Sequence, residues 1–311
     1  MARPSPAPPE RPSAPATKPP TIAFITICKG RLHHLKQTLP TMVAQRPDEL
    51  IVVDYSCPDS TGDWVEAEFP QARVVRVPGE AGFNASRARN AGAAAATSEW
   101  LFFVDADILM ATGLGDALRA GLRPGNFYRP QFRRDKGEFG SFACRAADFA
   151  AIEGYDEVFE GWGYEDTDLY ERLALLGVQQ LRYSADLTTA IPHDDGERHL
   201  LAGMRDRSEN ELVNTCYGHA KRAISLQRGG TGNLPLAERR KLMAGVREVV
   251  GRWYAAGAAK PLPIRFVVAQ NPGHKLATNM WVRTETTITV VLEPLAAGQP
   301  KPSLPTEQTP R

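Results

Sequence analysis

Along the first third of the chain, short apolar runs alternate with stretches whose apolar residues recur every three or four positions. Thr21 to Ile27, "TIAFITI", predicts a first strand. In "LHHLKQTLPTMV", Leu32, Leu35 and Leu39 keep helical spacing. "ELIVVDYS" predicts a second strand with Asp54 near its end, and "STGDWVEAEF" a short helix behind a Ser/Thr cap. "ARVVRV" is a third strand and "NASRARNAGAAAA" a helix with a small-residue face. "WLFFVDAD" is a fourth strand, apolar until it ends in Asp105 and Asp107. Continuous apolar strands alternating with helices predict an α/β fold, its mainly parallel sheet covered on both faces. Open sheets of this kind bind ligands beyond the C-terminal ends of their strands, where Asp54, Asp105 and Asp107 fall.

Beyond Asn126 the alternation weakens. "NFYRPQFRR" and "EFGSFACRAADFAAIEGY" predict strand, turn, strand and a short helix. Leu169, Leu173 and Leu176 share one helical face, and Gly177 ends that run, so a helix starts near Asp166 or Thr167. "VQQLRYSADLTTAIPHDD" adds one or two strands, and a polar helical region follows His199 to about Leu226. "LAERRKLMAGVREVVGRWYAAG" reads as an amphipathic helix, and "IRFVVAQN" and "TETTITVVLEPL" as β segments. The pattern divides the chain into a Pro-rich tail (1–20), a regularly alternating half (21–125), a less regular half (126–226), a C-terminal extension (227–295) and a tail (296–311). The extension carries no motif that assigns it a role, and the oligomeric state is not legible.

Composition removes several function classes. Net charge is +1, so no global basic field implies nucleic-acid binding. The first twenty residues hold eight prolines and no apolar block, unlike a secretory signal. No run predicts a membrane span, which leaves peripheral attachment to a membrane surface open. Four scattered cysteines make no CxxC pair and suit a reduced, cytoplasmic setting. Neither a GxGxxG nor a Walker motif follows the first strand, which runs into "CKGRLHH".

Two acidic clusters remain. Asp105 and Asp107 repel each other and cost desolvation energy unless a cation or hydrogen-bond donors compensate. A divalent ion with oxygen ligands is one solution, and a plain turn is the other. In "EGWGYEDTDLYERL", Glu165, Asp166 and Asp168 either stabilise a helix N-terminus or serve chemistry. Trp162, flanked by glycines, is either a platform for the apolar face of a sugar or an anchor for its loop. Asp54 meets a ligand or caps the following turn. Arg87 and Arg89 face phosphate or solvent.

"FFVDADI" resembles the acid-x-acid motif of GT-A fold nucleotide-sugar glycosyltransferases, and "VVDYSCPDST", "RARNAG" and "FFVDAD" in that order resemble family 2 members. "GWGYEDTDLYERL" is similar to the GWGxEDxDLxxR segment of galactosyltransferase-like C-terminal regions. The resemblance covers roughly residues 23 to 210, and it implies that 21–125 is the nucleotide-sugar-binding half of a GT-A domain and 126–226 its acceptor-binding and catalytic half. It implies Mn²⁺ or Mg²⁺ on Asp105 and Asp107, with His193 as third ligand (His199 the alternate) and Asp194 or Asp195 orienting it. It implies a donor, expected to be a UDP-sugar, near Arg31, Asp54, Arg87, Arg89, Asn90, Asp105 and Trp162. Asp166 would be the general base and Glu165 would bind the acceptor. Asp168 is left with the helix alone. The ED pair, where retaining relatives tend to show EN, favours inversion. The residues after His193, with Arg198, Arg205 and Arg207, resemble a segment that closes over donor. The implied activity is transfer of a hexose or N-acetylhexosamine, galactosyl or N-acetylgalactosaminyl in type. The acceptor is a hydroxyl of a glycan, glycolipid or small molecule, in a bacterial polysaccharide pathway or a similar setting. The competing readings are a retaining transferase on the same fold and a binding protein without turnover.

Overall fold

The computed structural model describes residues 19–131, 141–192, 207–269, 274–275, 281–282 and 285–294. Its centre is a seven-stranded sheet of β1 (Ile22–Cys28), β2 (Glu49–Asp54), β3 (Arg73–Arg76), β4 (Trp100–Asp105), β6 (Asn126–Pro130), β7 (Phe142–Arg145) and β8 (Gln179–Tyr183). Their order across the sheet is β3-β2-β1-β4-β7-β6-β8. The β1–β2, β1–β4, β2–β3 and β6–β8 pairs are parallel, and β7 runs antiparallel to both neighbours. The mainly parallel α/β sheet expected from the apolar runs is therefore present.

Alternation sorts β1 onto two cores. Ile22, Phe24 and Cys28 join Leu35, Leu39 and Met42 of α1 (Leu32–Ala44), Val65 of α2 (Thr61–Glu68) and Leu118 of α4 (Leu114–Gly121). Ala23, Ile25 and Ile27 join Ala88 of α3 (Ala85–Ala95), Phe149 of α5 (Ala146–Ala151), and Leu169 and Leu173 of α6 (Glu165–Leu175). All seven β1 residues are buried, as a strand covered on both faces requires. The small face of α3 has the expected use: a Cβ on Gly92 would lie 2.5 Å from Ile25 Cγ2, so only glycine lets the helix sit this close.

The C-terminal part packs as a third core. α7 (Arg207–Gln227) and α8 (Leu236–Ala255) meet a ribbon of β10 (Leu262–Ala269) and β13 (Glu285–Leu292), with β11 (His274–Lys275) paired to β12 (Trp281–Val282). Val213, Cys216 and Tyr217 of α7, Met243, Val246 and Val250 of α8, and Ile264 enclose Val158 and Phe159 of the loop before α6. Helix α8 and the β10–β13 ribbon thus share a core with α7 and with the loop before α6. No helix among the described residues is long and apolar enough to cross a membrane.

Candidate active site

Strand register sets the first part of the site. Cys28 aligns with Asp54 and Ile27 with Asp105, so both acids stand at one rim of the sheet. The Thr38 hydroxyl donates to the Ala106 carbonyl (2.7 Å) and fixes the turn between Asp105 and Asp107. Chain then leaves the sheet through β5 (Ile108–Met110), which pairs with β9 (Thr188–Ala190). Ile191 N–H donates to the Asp107 carbonyl (2.8 Å), so the segment leading toward His193 starts beside Asp107. His193 lies outside the described residues, as do Asp194, Asp195, Arg198, His199 and Arg205. Among the described residues no group of three or more His, Cys, Asp or Glu is placed to hold a metal.

Arg89 joins the two acidic clusters. It projects from α3 with a side chain only 6% exposed. Its guanidinium lies 2.9 Å from Asp105, 3.2 Å from Asp166 and 3.7 Å from Glu165. The Tyr155 ring packs under it at 5.1 Å, and the Tyr155 hydroxyl donates to Asp166 Oδ1 (3.0 Å). The solvent reading for Arg89 is thereby excluded. Burial opposes its charge, but Asp166, Asp105 and Glu165 outweigh that and raise its pKa well above the usual value. A buried guanidinium surrounded by carboxylates stays charged, and its planar fork suits two of them at once.

Asp166 and Glu165 open α6, as the first-turn reading expects, but the helix begins one residue earlier. No side chain caps it: Tyr164 enters in the left-handed region (φ 72°), and its carbonyl accepts from Asp168 N–H. The other end is a Schellman turn, with Gly177 at φ 89° and Val178 N–H donating to the Leu173 carbonyl. Asp166 Oδ1 is taken by Arg89 and Tyr155, while Oδ2 accepts no hydrogen bond among the described residues. Burial raises the Asp166 pKa, with Arg89 pulling down and Asp105 pushing up. Burial, then Asp166, raise that of Glu165 to about 7. A raised carboxylate pKa means protonation at a higher pH, so a reaction that needs the ionised pair loses rate sooner on acidification. The acid limb of kcat/KM is expected above the ordinary carboxylate range of about 4. A pH profile of transfer checks this, and a limb near pH 4 would contradict it.

The remaining expected residues have definite partners. Arg31 bonds Asp107 (3.1 Å). Asp54 does what its capping alternative foresaw: its oxygens accept from Cys57 N–H and Gly62 N–H, both at 2.8 Å. The Asn90 amide pins the loop after α5 by bonds to both backbone groups of Tyr155 (2.9 Å each). Arg87 pairs with Glu80 at a half-exposed position. The Trp162 ring carries the Arg207 guanidinium at 3.9 Å, and its backbone is held by Asn210 and Asn214 of α7. The loop anchor and an aromatic surface thus coexist there.

Two family models match this architecture. The one described as "Glycosyl transferase family 2" matches residues 23–152, and the one described as "N-terminal domain of galactosyltransferase" matches 126–194. Together they span the rim of the sheet and the start of α6. The chain is a family-2-like glycosyltransferase of the GT-A fold. Among solved structures, it is similar to a mannosyltransferase, PcManGT from Pyrobaculum calidifontis, solved with GDP-Man and Mn²⁺. That match has 17% identity and a TM-score of 0.50, covering 78% of this chain and 76% of that one. It is also similar to S. aureus TarS 1-349, with 14% identity and a TM-score of 0.48, covering 76% and 92%. No curated protein matches the sequence.

The glycosyltransferase also uses residues that the sequence does not single out. Asp168 is one: instead of serving the helix alone, it bonds Arg172 (2.8 Å) and Lys221 (2.6 Å) with 3% of its side chain exposed. Lys221 reaches Asp156 (2.8 Å), which also takes Tyr217 (2.7 Å) and Arg239 (2.8 Å). Helix α6 is thus tied to α7 and α8 through buried charges. A buried i, i+4 Asp–Arg pair on α6 was the one signal available in sequence, and it reads there as an ordinary surface pair.

Proposed function

We propose that this glycosyltransferase is metal-dependent and inverting, and moves a hexose or N-acetylhexosamine from a UDP-sugar to a hydroxyl acceptor. The donor is of galactosyl or N-acetylgalactosaminyl type. The observation that carries the reading is Arg89, which fixes Asp105 of the donor rim and Asp166 of the acceptor side on one guanidinium. One displacement then has its leaving group at one end of that bridge and its base at the other.

The donor end fits a hard divalent cation. Asp105 and Asp107 offer carboxylate oxygens at the end of β4, and Asp105 Oδ2 takes no hydrogen bond among the described residues. Asp105 and Asp107 would hold Mn²⁺ or Mg²⁺ with His193 completing the set, and Arg31 stands beside Asp107 to meet the diphosphate. The bound ion supplies neutralisation of the charge that grows on the leaving nucleoside diphosphate. The mannosyltransferase neighbour, solved with GDP-Man and Mn²⁺, supports a ligand set of this class. At the other end, Asp166 Oδ2 takes the acceptor hydroxyl proton as its oxygen attacks the anomeric carbon. Arg89 and Tyr155 hold Oδ1, orient the carboxylate and oppose the rise that burial gives its pKa. Glu165, with its raised pKa, binds an acceptor hydroxyl. Trp162 presents an aromatic surface for the sugar, and residues 126–226 carry the acceptor side.

The test is a screen of UDP- and GDP-sugars with Mn²⁺ and a hydroxyl acceptor panel, read as released nucleotide. UDP release that requires the metal and stops with EDTA is expected. Metal-independent release, or release from GDP-sugars alone, contradicts the proposal.

A further inference from the structure

Beside Arg31, at the donor rim, two thiols meet. Cys28 ends β1, and Cys57 sits in the loop after β2. The Thr61 hydroxyl lies 3.0 Å from Cys57 Sγ and 3.4 Å from Cys28 Sγ, so one hydroxyl bridges both sulfurs. Gly30 N–H donates to Cys57 Sγ at 3.1 Å. Cys28 is buried and Cys57 half-buried, so a small oxidant reaches Cys57 first. The loops that carry the pair also carry charge: Lys29 and Arg31 follow Cys28, Asp59 follows Cys57, and Asp54 accepts from Cys57 N–H (2.8 Å).

We propose that Cys28 and Cys57 are a redox-modifiable dithiol, closed to an intramolecular disulfide by a low-molecular-weight disulfide such as glutathione disulfide. The Cys57 thiolate attacks one sulfur of glutathione disulfide and expels one glutathione thiolate. The Cys28 thiol gives its proton to that thiolate, attacks the Cys57 sulfur of the mixed disulfide, and expels the second glutathione. Two protein thiols are oxidised and one glutathione disulfide is reduced to two glutathione molecules. The environment suits this order. Hydrogen bonding from Cys28, with help from Thr61, Asp59 N–H and Gly30 N–H, lowers the Cys57 pKa to about 5 against the effect of burial. Hydrogen bonding to Cys57, then burial, raises that of Cys28, and capping Cys57 removes the first of these causes. Closure also withdraws the sulfur acceptor that holds Gly30, one residue from Arg31. Oxidation therefore loosens the Arg31–Asp107 contact.

The test treats the full chain with glutathione disulfide at pH 7 and maps disulfides by non-reducing peptide mass spectrometry. A Cys28–Cys57 cross-link is expected, with Cys144 and Cys216 untouched because both are buried. Cys28→Ala should stop at a glutathione adduct on Cys57, and Cys57→Ser should take up none at this pair. Alkylation of Cys57 should change less than about twofold between pH 6 and pH 8, where an ordinary thiol of pKa about 8.5 speeds up roughly 80-fold. A Cys57 that alkylates with the ordinary pH dependence, or an oxidised chain without the 28–57 cross-link, overturns the proposal. These readouts need no transferase assay, so they stand or fall apart from the proposed function. With an active donor, oxidation should also lower nucleotide release in the wild type and not in Cys57→Ser.

Discussion

Asp166→Asn is expected to lower kcat by about 10²–10⁴-fold, the usual contribution of a positioned general base. The substitution keeps the shape of the side chain and an oxygen for Arg89 and Tyr155, the two partners of Asp166 Oδ1. It replaces the oxygen that would receive the acceptor proton. Arg89 keeps Asp105, so the donor end is left in place. Donor and metal affinity should therefore stay within about twofold of wild type, and the loss should fall on kcat. Steady-state kinetics with isothermal titration of donor and Mn²⁺ separate the two. Near-normal turnover in Asp166→Asn removes Asp166 from the role of base.

Lys221→Met should cost about 3–5 kcal/mol of stability, the usual penalty for removing one partner of a buried ion pair. Lys221 is fully buried between Asp156 and Asp168, and its loss leaves two carboxylates short of a cation. Arg172 and Arg239 remain on those carboxylates, which favours the lower end of the range. Asp156 shows how strongly the network holds its charge. Burial raises its pKa, yet Lys221 and Arg239 more than offset that and bring it to about 2. A depressed folded pKa contributes stability above the ordinary carboxylate range, and that contribution disappears as pH falls toward 2. Urea melts at pH 7 measure the loss. Adding Asp156→Asn to Lys221→Met should destabilise by less than the sum of the single variants, because the second change removes a charge the first left unpaired. A strictly additive double variant would mean that Lys221 and Asp156 are not coupled.

The sheet was legible because its strands are apolar on both faces. "TIAFITI" and "WLFFVDAD" announce buried strands, and their register alone brings Asp54 and Asp105 to one rim. The family was legible in "GWGYEDTDL", since a long motif constrains more than an isolated acid pair. The partners of those acids were not. Arg89 sits in a helix of small residues, and nothing in "RARNAG" tells which arginine turns inward; that depends on Gly92 letting α3 close on Ile25. Asp54 reads as a ligand contact or a turn cap and Asn90 as a neighbour of the donor, and only the fold shows that their side chains hold local backbone at Cys57, Gly62 and Tyr155. Lys221 was invisible because its partners lie 65 and 53 positions away in sequence, across helices that meet only in the folded chain.

The same distance effect explains why the C-terminal extension carries no motif. Its contribution is to bury Val158 and Phe159 and to place Arg239 on Asp156, and each is an unremarkable residue in its own stretch. The helix that carries Asp166 is thus held from behind by residues with no chemistry of their own.

The central claim is a single displacement between a donor at Asp105 and an acceptor at Asp166. Proton NMR of the product made from a UDP-α-sugar tests it most directly. A β-linked product, with the anomeric configuration inverted, is the result predicted. An α-linked product would mean retention, and would contradict both the single displacement and the role of Asp166 as its base.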